Sequence, residues 1–345
     1  MNSDIDRRSF LKHTAAGLVA GSALSSFAYS SPLVADGVST RTLGKTGTKV
    51  SMIGIGCGTK FSTAAWKRGE EYGVKLIQTA LERGINYLDT AAIYTYLTPD
   101  GKRGPRGFSE RILGQALKGR RQEAFLATKT LSRGRDAALK DVEQSLKNLQ
   151  TDYLNLIQMH SLSRASDIER IEADDGCLKA LRELKEQKVV RHIGITCHQD
   201  GILLKTALER LNLDTVLMAL NAAHSKNPVA RGAAKMAPII TFESDALPTA
   251  VRLKMGIIAM KALGFNLLVG DGPGLGKPAE LIRYNLSLPV STAIIGTDSL
   301  EILDENVELA KNFVKLSKNE MERLRQKMKP STAMLTDFFE NHTDA

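Results

Sequence analysis

Asp89, Tyr94, Lys129 and His160 are the residues whose types and spacing could do chemistry together. Asp89 closes the apolar run Asn86-Tyr87-Leu88, and Tyr94 follows in the loop beyond it. Lys129 closes Ala124-Phe125-Leu126-Ala127-Thr128, and His160 closes Leu154-Asn155-Leu156-Ile157-Gln158-Met159. A tyrosine at neutral pH is a poor proton donor and a worse base, because its ordinary pKa is about 10. An ammonium beside the phenol favours the phenolate, and each unit of lowering corresponds to about 1.4 kcal/mol of differential stabilisation. Lys129 is placed to tune Tyr94 in this way, with Asp89 orienting Lys129 and His160 hydrogen-bonding a substrate oxygen. Such a relay suits carbonyl reduction or alcohol oxidation. Each type alone has a duller reading: a turn-forming Asp, a structural His, a solvated Lys, a packing Tyr. Four of them at or just beyond successive strand ends make the coincidence hard to sustain.

The elements that must position these residues alternate. Apolar runs at 50–57, 86–91, 124–129, 154–160, 192–197, 215–221, 256–263 and 291–296 read as strands, and amphipathic runs between them read as helices, for example 71–83 with Gly84 as its stop. Eight strand–helix units over nearly three hundred residues predict a closed (β/α)8 TIM barrel, with a doubly wound open sheet as the alternative. Arg41 to Val50 predicts an N-terminal β-hairpin, and about 317–329 a C-terminal extra helix. In barrels of this kind the chemistry sits at the carboxyl ends of the strands, so the long connections 95–107 and 222–248 are candidate lids or substrate walls. The expected organisation is residues 1–35 as signal and linker, 40–330 as the barrel and 331–345 as a tail.

A hydride source is needed for either reaction. Ile294-Ile295-Gly296-Thr297 runs into the helix that carries Glu305-Asn306, and a strand meeting a glycine turn and a helix N-terminus offers backbone N–H groups to a phosphate.

Composition narrows the classes. The chain has 345 residues, 43% hydrophobic content and a formal charge of +9, enough for a sizeable core. Arg7, Arg8 and Lys12 against Asp4 and Asp6 leave the first thirty residues with only +1 of that charge. No run of Lys and Arg interleaved with aromatics tracks a phosphate backbone, so nucleic acid is not an expected partner. Cys57, Cys177 and Cys197 lack C-x-x-C spacing and fall in or beside apolar runs, which predicts free buried thiols and no metal site. Asp6-Arg7-Arg8-Ser9-Phe10-Leu11-Lys12, ahead of a Gly/Ala/Ser-rich apolar run to about Ala28, resembles a twin-arginine signal. It implies export to the periplasm by the twin-arginine machinery, cleavage near Ala28-Tyr29-Ser30 or Leu33-Val34-Ala35, and no stable membrane association afterwards. An uncleaved anchor is the alternative, disfavoured by the Ser and Gly content of the segment.

Several segments together resemble the aldo/keto reductase family: Leu43-Gly44-Lys45-Thr46-Gly47, Gly84 to Ala91 with Tyr94, Ser109-Glu110-Arg111-Ile112-Leu113-Gly114, Thr128-Lys129, Met159-His160, His192-Ile193-Gly194-Ile195, and Gly296-Thr297 with Glu305-Asn306. The resemblance implies a (β/α)8 barrel, with Asp89, Tyr94, Lys129 and His160 as the catalytic tetrad acting on a small-molecule carbonyl or alcohol. It implies a nicotinamide nucleotide across the C-terminal face, held by Gly56, Thr196, Asn221, Met260, Lys261, Gly296, Thr297, Glu305 and Asn306. Thr196-Cys197-His198 stands where the family usually has Ser-Asn, Met218 where it has Gln, and Met260 where many members stack a Tyr. NADP(H) is the family default. No Lys or Arg lies between Gly296 and Asn306, whereas Asp298, Glu301, Asp304 and Glu305 do, so weakened NADP(H) preference and use of NAD(H) are expected. The rival reading is a non-turnover barrel that serves as a ligand-binding or regulatory module.

Overall fold

The computed structural model describes residues 37–224, 230, 231, 235–238 and 242–341, so the expected signal segment lies outside the described residues. A hairpin comes first, β1 (Thr40–Thr42) against β2 (Lys49–Ser51), antiparallel with Arg41 opposite Val50. The run expected as one strand from Val50 therefore divides. Its first part closes the hairpin, and its second is β3 (Ile53–Gly56), the first barrel strand.

Seven further barrel strands follow: β4 (Tyr87–Asp89), β5 (Phe125–Thr130), β6 (Leu154–Met159), β7 (Val190–Cys197), β8 (Thr215–Ala219), β11 (Gly256–Met260) and β12 (Thr292–Gly296). All neighbours pair in parallel, and β12 pairs with β3 to close the ring. Closure excludes the open sheet. A short antiparallel pair, β9 (Ala230–Arg231) and β10 (Lys235–Pro238), sits in the connection after β8.

The outer layer is α1 (Thr59–Arg68), α2 (Glu70–Glu82), α3 (Phe108–Ala116), α4 (Arg135–Leu149), α5 (Ala165–Glu172), α6 (Cys177–Glu186), α7 (Gly201–Leu211), α8 (Ala246–Arg252), α9 (Pro278–Ser287) and α10 (Leu300–Lys311). Several bury a single stripe. In α2 that stripe is Leu76, Ile77, Ala80 and Leu81, and Gly84 at φ 86° ends the turn so that Ile85 N bonds Ala80 O at 2.9 Å and β4 can begin. Asp200 caps α7 by accepting from Ile202 N and Leu203 N.

The hairpin closes the amino-terminal end of the barrel. Leu43 is fully buried against Gly256, where an added Cβ would stand 2.6 Å from Leu43 Cγ, and Arg41 donates to Val290 O and Leu286 O at 2.9 Å each.

After the barrel come α11 (Lys318–Met328), capped by Ser317 and Glu320, and α12 (Thr332–Asn341). The stretch 331–345, expected as a tail, is mostly helix instead. Leu335 and Phe339, one turn apart and both buried, give it the apolar face that holds it to the barrel. Thr332 Oγ1 donates to Ala223 O at 2.7 Å and Gln199 Nε2 to Phe339 O at 3.1 Å. Ala223 follows β8 and Gln199 follows β7, so α12 lies across the C-terminal face.

Candidate active site

The carboxyl ends of β4, β5 and β6 bring Asp89, Lys129 and His160 to one pocket, all three 1% exposed. The turn after β4 is stitched onto β5 by Thr90 N to Ala127 O (2.9 Å) and Ala92 N to Lys129 O (3.3 Å), and this folds Tyr94 back over Lys129. Lys129 Nζ donates to Asp89 Oδ1, to Thr90 O at 2.7 Å and to the Tyr94 hydroxyl at 3.3 Å. Three oxygens thus surround one buried ammonium, and of the three residues that supply them only Tyr94 is half-buried. The positive charge sits where it stabilises a phenolate. The Tyr94 ring meets the His160 ring edge-on at 5.7 Å between centroids, 78° apart.

Taking two charges out of water costs more than a bare pair returns, so the extra bonds from Thr90 and Tyr94 matter. Removing either partner of the Asp89–Lys129 pair leaves a buried charge alone, at a cost of about 3–5 kcal/mol.

Three further residues join the site, of which the sequence marks only His198, as a departure from the family pattern. Gln158 Nε2 donates to Asp89 Oδ2 at 3.2 Å. His198 is buried just beyond β7, with its ring 6.2 Å from that of His160 and Nδ1 3.5 Å from Ser161 Oγ. Arg133 Nη2 donates to His160 O at 2.5 Å and Ser161 O at 3.1 Å, fixing the chain at the end of β6, where Ser161 takes φ 56°. Strand periodicity did hold a signal for Gln158: it lies two residues before His160 and therefore on the same face.

Cys57 lies beneath the pair, its N–H bonded to Asp89 O at 2.8 Å. Burial, then the Asp89 charge, push its thiol well above the ordinary range, while Lys129 opposes them. Burial raises Cys177 and Cys197 to about 11. All three thiols are buried and free.

The residues expected to hold a nucleotide divide into two groups. Gly56 and Gly296 stand side by side in the β3–β12 ladder, Asn221 is buried just beyond β8 and Met260 at the end of β11, and Thr297 is buried in the turn before α10 and Asn306 within that helix. Asp298 Oδ1 in this turn and Asn306 Nδ2 on α10 are buried with no hydrogen-bond partner among the described residues. Unsatisfied polar atoms and the Ser299-capped N-terminus of α10 beside the glycine pair suit a phosphate-bearing nucleotide. The second group is turned to other tasks. Thr196 Oγ1 accepts from Ser161 N at 2.7 Å, Cys197 Sγ donates to Leu162 O at 3.2 Å, and Lys261, at φ 61°, lays its ammonium 3.5 Å from the centroid of the Phe265 ring. Glu305 is exposed on α10 while Asn306 beside it is buried.

The stretch from Gly296 to Asn306 lacks cations of its own, but the fold brings a cation to it. Lys60 of α1 lays its stem over Gly296 and places Nζ 3.6 Å from Asp298 Oδ2, whereas Arg68, also from α1, donates to the Tyr72 hydroxyl.

Residues 53–272 match the model of the aldo/keto reductase family. The chain is 27% identical over 330 residues to an uncharacterised oxidoreductase, YqkF, of Bacillus subtilis, covering 84% of this chain and 96% of that protein. It is 26% identical over 310 residues to an L-galactose dehydrogenase of Arabidopsis thaliana, covering 78% and 87%. In three dimensions it is similar to the holo form of the aldo-keto reductase AKR11C1 of Bacillus halodurans, with TM-score 0.65, 24% identity and coverage of 84% and 96%. It is also similar to an aldo/keto reductase of Klebsiella pneumoniae in complex with NADP and acetate, with TM-score 0.64, 20% identity and coverage of 84% and 95%. With the family model matched over most of the barrel, and a buried lysine linking a carboxylate to a half-buried phenol at its carboxyl-terminal mouth, the chain belongs to the aldo/keto reductase family.

Proposed function

We propose that the protein is an exported oxidoreductase that reduces a carbonyl, or oxidises a hydroxyl, of a small polar substrate of the sugar class. The observation that carries the chemistry is the triple contact of Lys129 Nζ with Asp89, Thr90 O and the Tyr94 hydroxyl. Gly56, Asn221, Met260, Gly296, Thr297 and Asn306 would hold a nicotinamide nucleotide, which when bound supplies or accepts the hydride. In reduction the Tyr94 hydroxyl gives its proton to the substrate oxygen; in oxidation the phenolate takes it back. His160 hydrogen-bonds that same oxygen and fixes its position. Tyr94→Phe keeps the ring and removes the proton. Turnover is expected to fall by at least about a hundredfold, the lower end of what a positioned acid contributes, with nucleotide binding kept. Near-normal turnover of the variant would remove Tyr94 from this role. The sugar class rests on the likeness to the L-galactose dehydrogenase.

Selectivity for the 2′-phosphate of NADP(H) is inferred to be weak. Lys60 faces Asp298, so an incoming dianion competes with a carboxylate for that cation. Comparing dissociation constants for NADH and NADPH tests this, and a preference for NADPH of about a hundredfold, some 2.7 kcal/mol, would overturn it.

Export rests on Arg7-Arg8-Ser9-Phe10-Leu11-Lys12 and the weakly apolar run after it. A protein that folds before export can carry its nucleotide with it, and such a resident cofactor would alternate between two half-reactions. Periplasmic enrichment with close to one nicotinamide nucleotide per chain is the expected outcome of fractionation, and a cytoplasmic, nucleotide-free protein would refute it. The non-turnover reading has one observation on its side, the turning of Thr196 and Cys197 to the 161–162 loop. Calorimetric binding of a sugar with no redox turnover under either nucleotide would establish it.

A further inference from the structure

Gln158 occupies an unusual place in the lumen. In the β5–β6 ladder it stands directly beside Lys129, and in the β6–β7 ladder directly beside Gly194. Gly194 is required by Thr215, whose Oγ1 a Cβ there would meet at 2.2 Å, and such a Cβ would stand in ordinary contact with Gln158 Cγ at 3.4 Å. The side chain is fully buried, and its Nε2 donates to Asp89 Oδ2. Its other polar atom, Oε1, has no hydrogen-bond partner among the described residues. A buried amide with one unsatisfied end is a stability cost that an apolar residue of the same shape would avoid. The bond this amide makes goes to the tetrad carboxylate.

We propose that Gln158 is a positioning residue of the relay: its N–H holds Asp89 Oδ2, so that the carboxylate cannot rotate and turns only Oδ1 to Lys129. The proposal rests on the oxidoreductase reading above and deepens it. Asp89 is a charge that Lys129 must not overpair with, because the ammonium has to serve Tyr94 as well. An amide donor on Oδ2 spreads part of the carboxylate charge away from Lys129 and leaves more of the ammonium field for the phenol. Without that donor the negative field at Lys129 grows, the phenolate loses support and Tyr94 ionises at higher pH.

The groups facing this cluster from each neighbouring element are Cys57 beyond β3, Tyr87 on β4, Tyr94 in the turn, Lys129 on β5, His160 after β6, and His192 and His198 on and after β7. Burial and the Asp89 charge push Cys57 and Tyr87 up, and burial pushes His192 down. Histidines ordinarily titrate near pH 6.5, which leaves the alkaline limb to Tyr94 together with the Lys129 it touches.

The test uses the full chain with saturating nucleotide, and reduction of 4-nitrobenzaldehyde and of glyceraldehyde as probes. Reduction needs the protonated phenol, so kcat falls above its pKa. Gln158→Leu is expected to lower kcat about tenfold with KM within twofold, to move the alkaline fall of kcat up by about half a pH unit or more, and to leave the melting temperature level or raised. Gln158→Glu keeps the shape, adds a carboxylate and moves that fall further still. A Gln158→Leu enzyme with wild-type kcat and pH profile, alongside a dead Tyr94→Phe enzyme, overturns the proposal and leaves the oxidoreductase reading standing. If Gln158→Leu does not fold, a wild-type pH profile for Gln158→Glu overturns it equally. A wild-type protein that reduces neither probe takes down both.

Discussion

Lys129 shows what the barrel does for a single side chain. In water its ammonium would be solvated and would do nothing to a phenol; here it is buried, with one contact each from Asp89, Thr90 and Tyr94 to replace the solvent. Lys60 shows a subtler case at the same scale. Its pair with Asp298 is about one-third exposed on each side, so the pair itself contributes little to stability, about 0–1 kcal/mol for a surface ion pair. Its importance lies in which anion the ammonium faces. Asp298→Asn frees Lys60 for a phosphate, so the variant is expected to bind NADPH several-fold more tightly relative to NADH than the parent does, and Lys60→Met to shift the ratio the other way. Isothermal titration of both nucleotides reads this directly. Unchanged ratios in both variants would show that the extra phosphate is bound elsewhere.

That Asp89, Tyr94, Lys129 and His160 come together could be read in the sequence because each ends, or closely follows, a strand whose period is fixed by apolar residues. Lys60 could not, because its role depends on α1 crossing to β12, which lies more than two hundred positions away along the chain. The same division holds among the elements. Helices with a long stripe, such as α4 with Ala138, Val142, Leu146 and Leu149, announce themselves. The helix α5 has only Ile168 and Ile171 buried, α8 is seven residues with a proline in its first turn, and α1 is rich in Ser and Thr. Two apolar residues one turn apart do not define a period, so these helices form because the strands on either side require a crossover and supply a surface to bury them. The division of the first expected strand has a similar cause. Met52 separates β2 from β3 and is itself buried, so the apolar run continues while the chain changes partners. Apolar patterning registers burial, and burial alone does not say which sheet a residue joins.

At the scale of the whole molecule the proposed catalytic groups and the loops that would wall a substrate pocket are built differently, and this separation makes a prediction. The tetrad sits on or immediately beside barrel strands, whereas α12 touches the loops beyond the strand ends: Gln199 after β7, Ala223 after β8, and Phe265 after β11, whose ring lies 5.0 Å from Phe338 and 6.0 Å from Phe339. Leu335, fully buried, reaches the place where a Cβ on Gly264 would stand 2.9 Å from its Cδ1. Removing α12 by ending the chain after Ser331 leaves all eight strands and their ladder intact. It uncovers the loops that frame the pocket. The truncated protein is therefore expected to fold and to keep the alkaline limb of kcat, which belongs to Tyr94 and Lys129, while KM for the carbonyl substrate rises about tenfold or more, equivalent to about 1.4 kcal/mol of lost binding. Leu335→Ala separates the two contributions. Its cost is a cavity, about 2–5 kcal/mol of stability, with α12 still covering the face, so its melting temperature falls more than its KM rises. A truncated protein with the parent's KM would place α12 outside the substrate site and make it a purely stabilising element. A loss of kcat with KM unchanged would instead show that α12 holds the tetrad through the loops after β7 and β8.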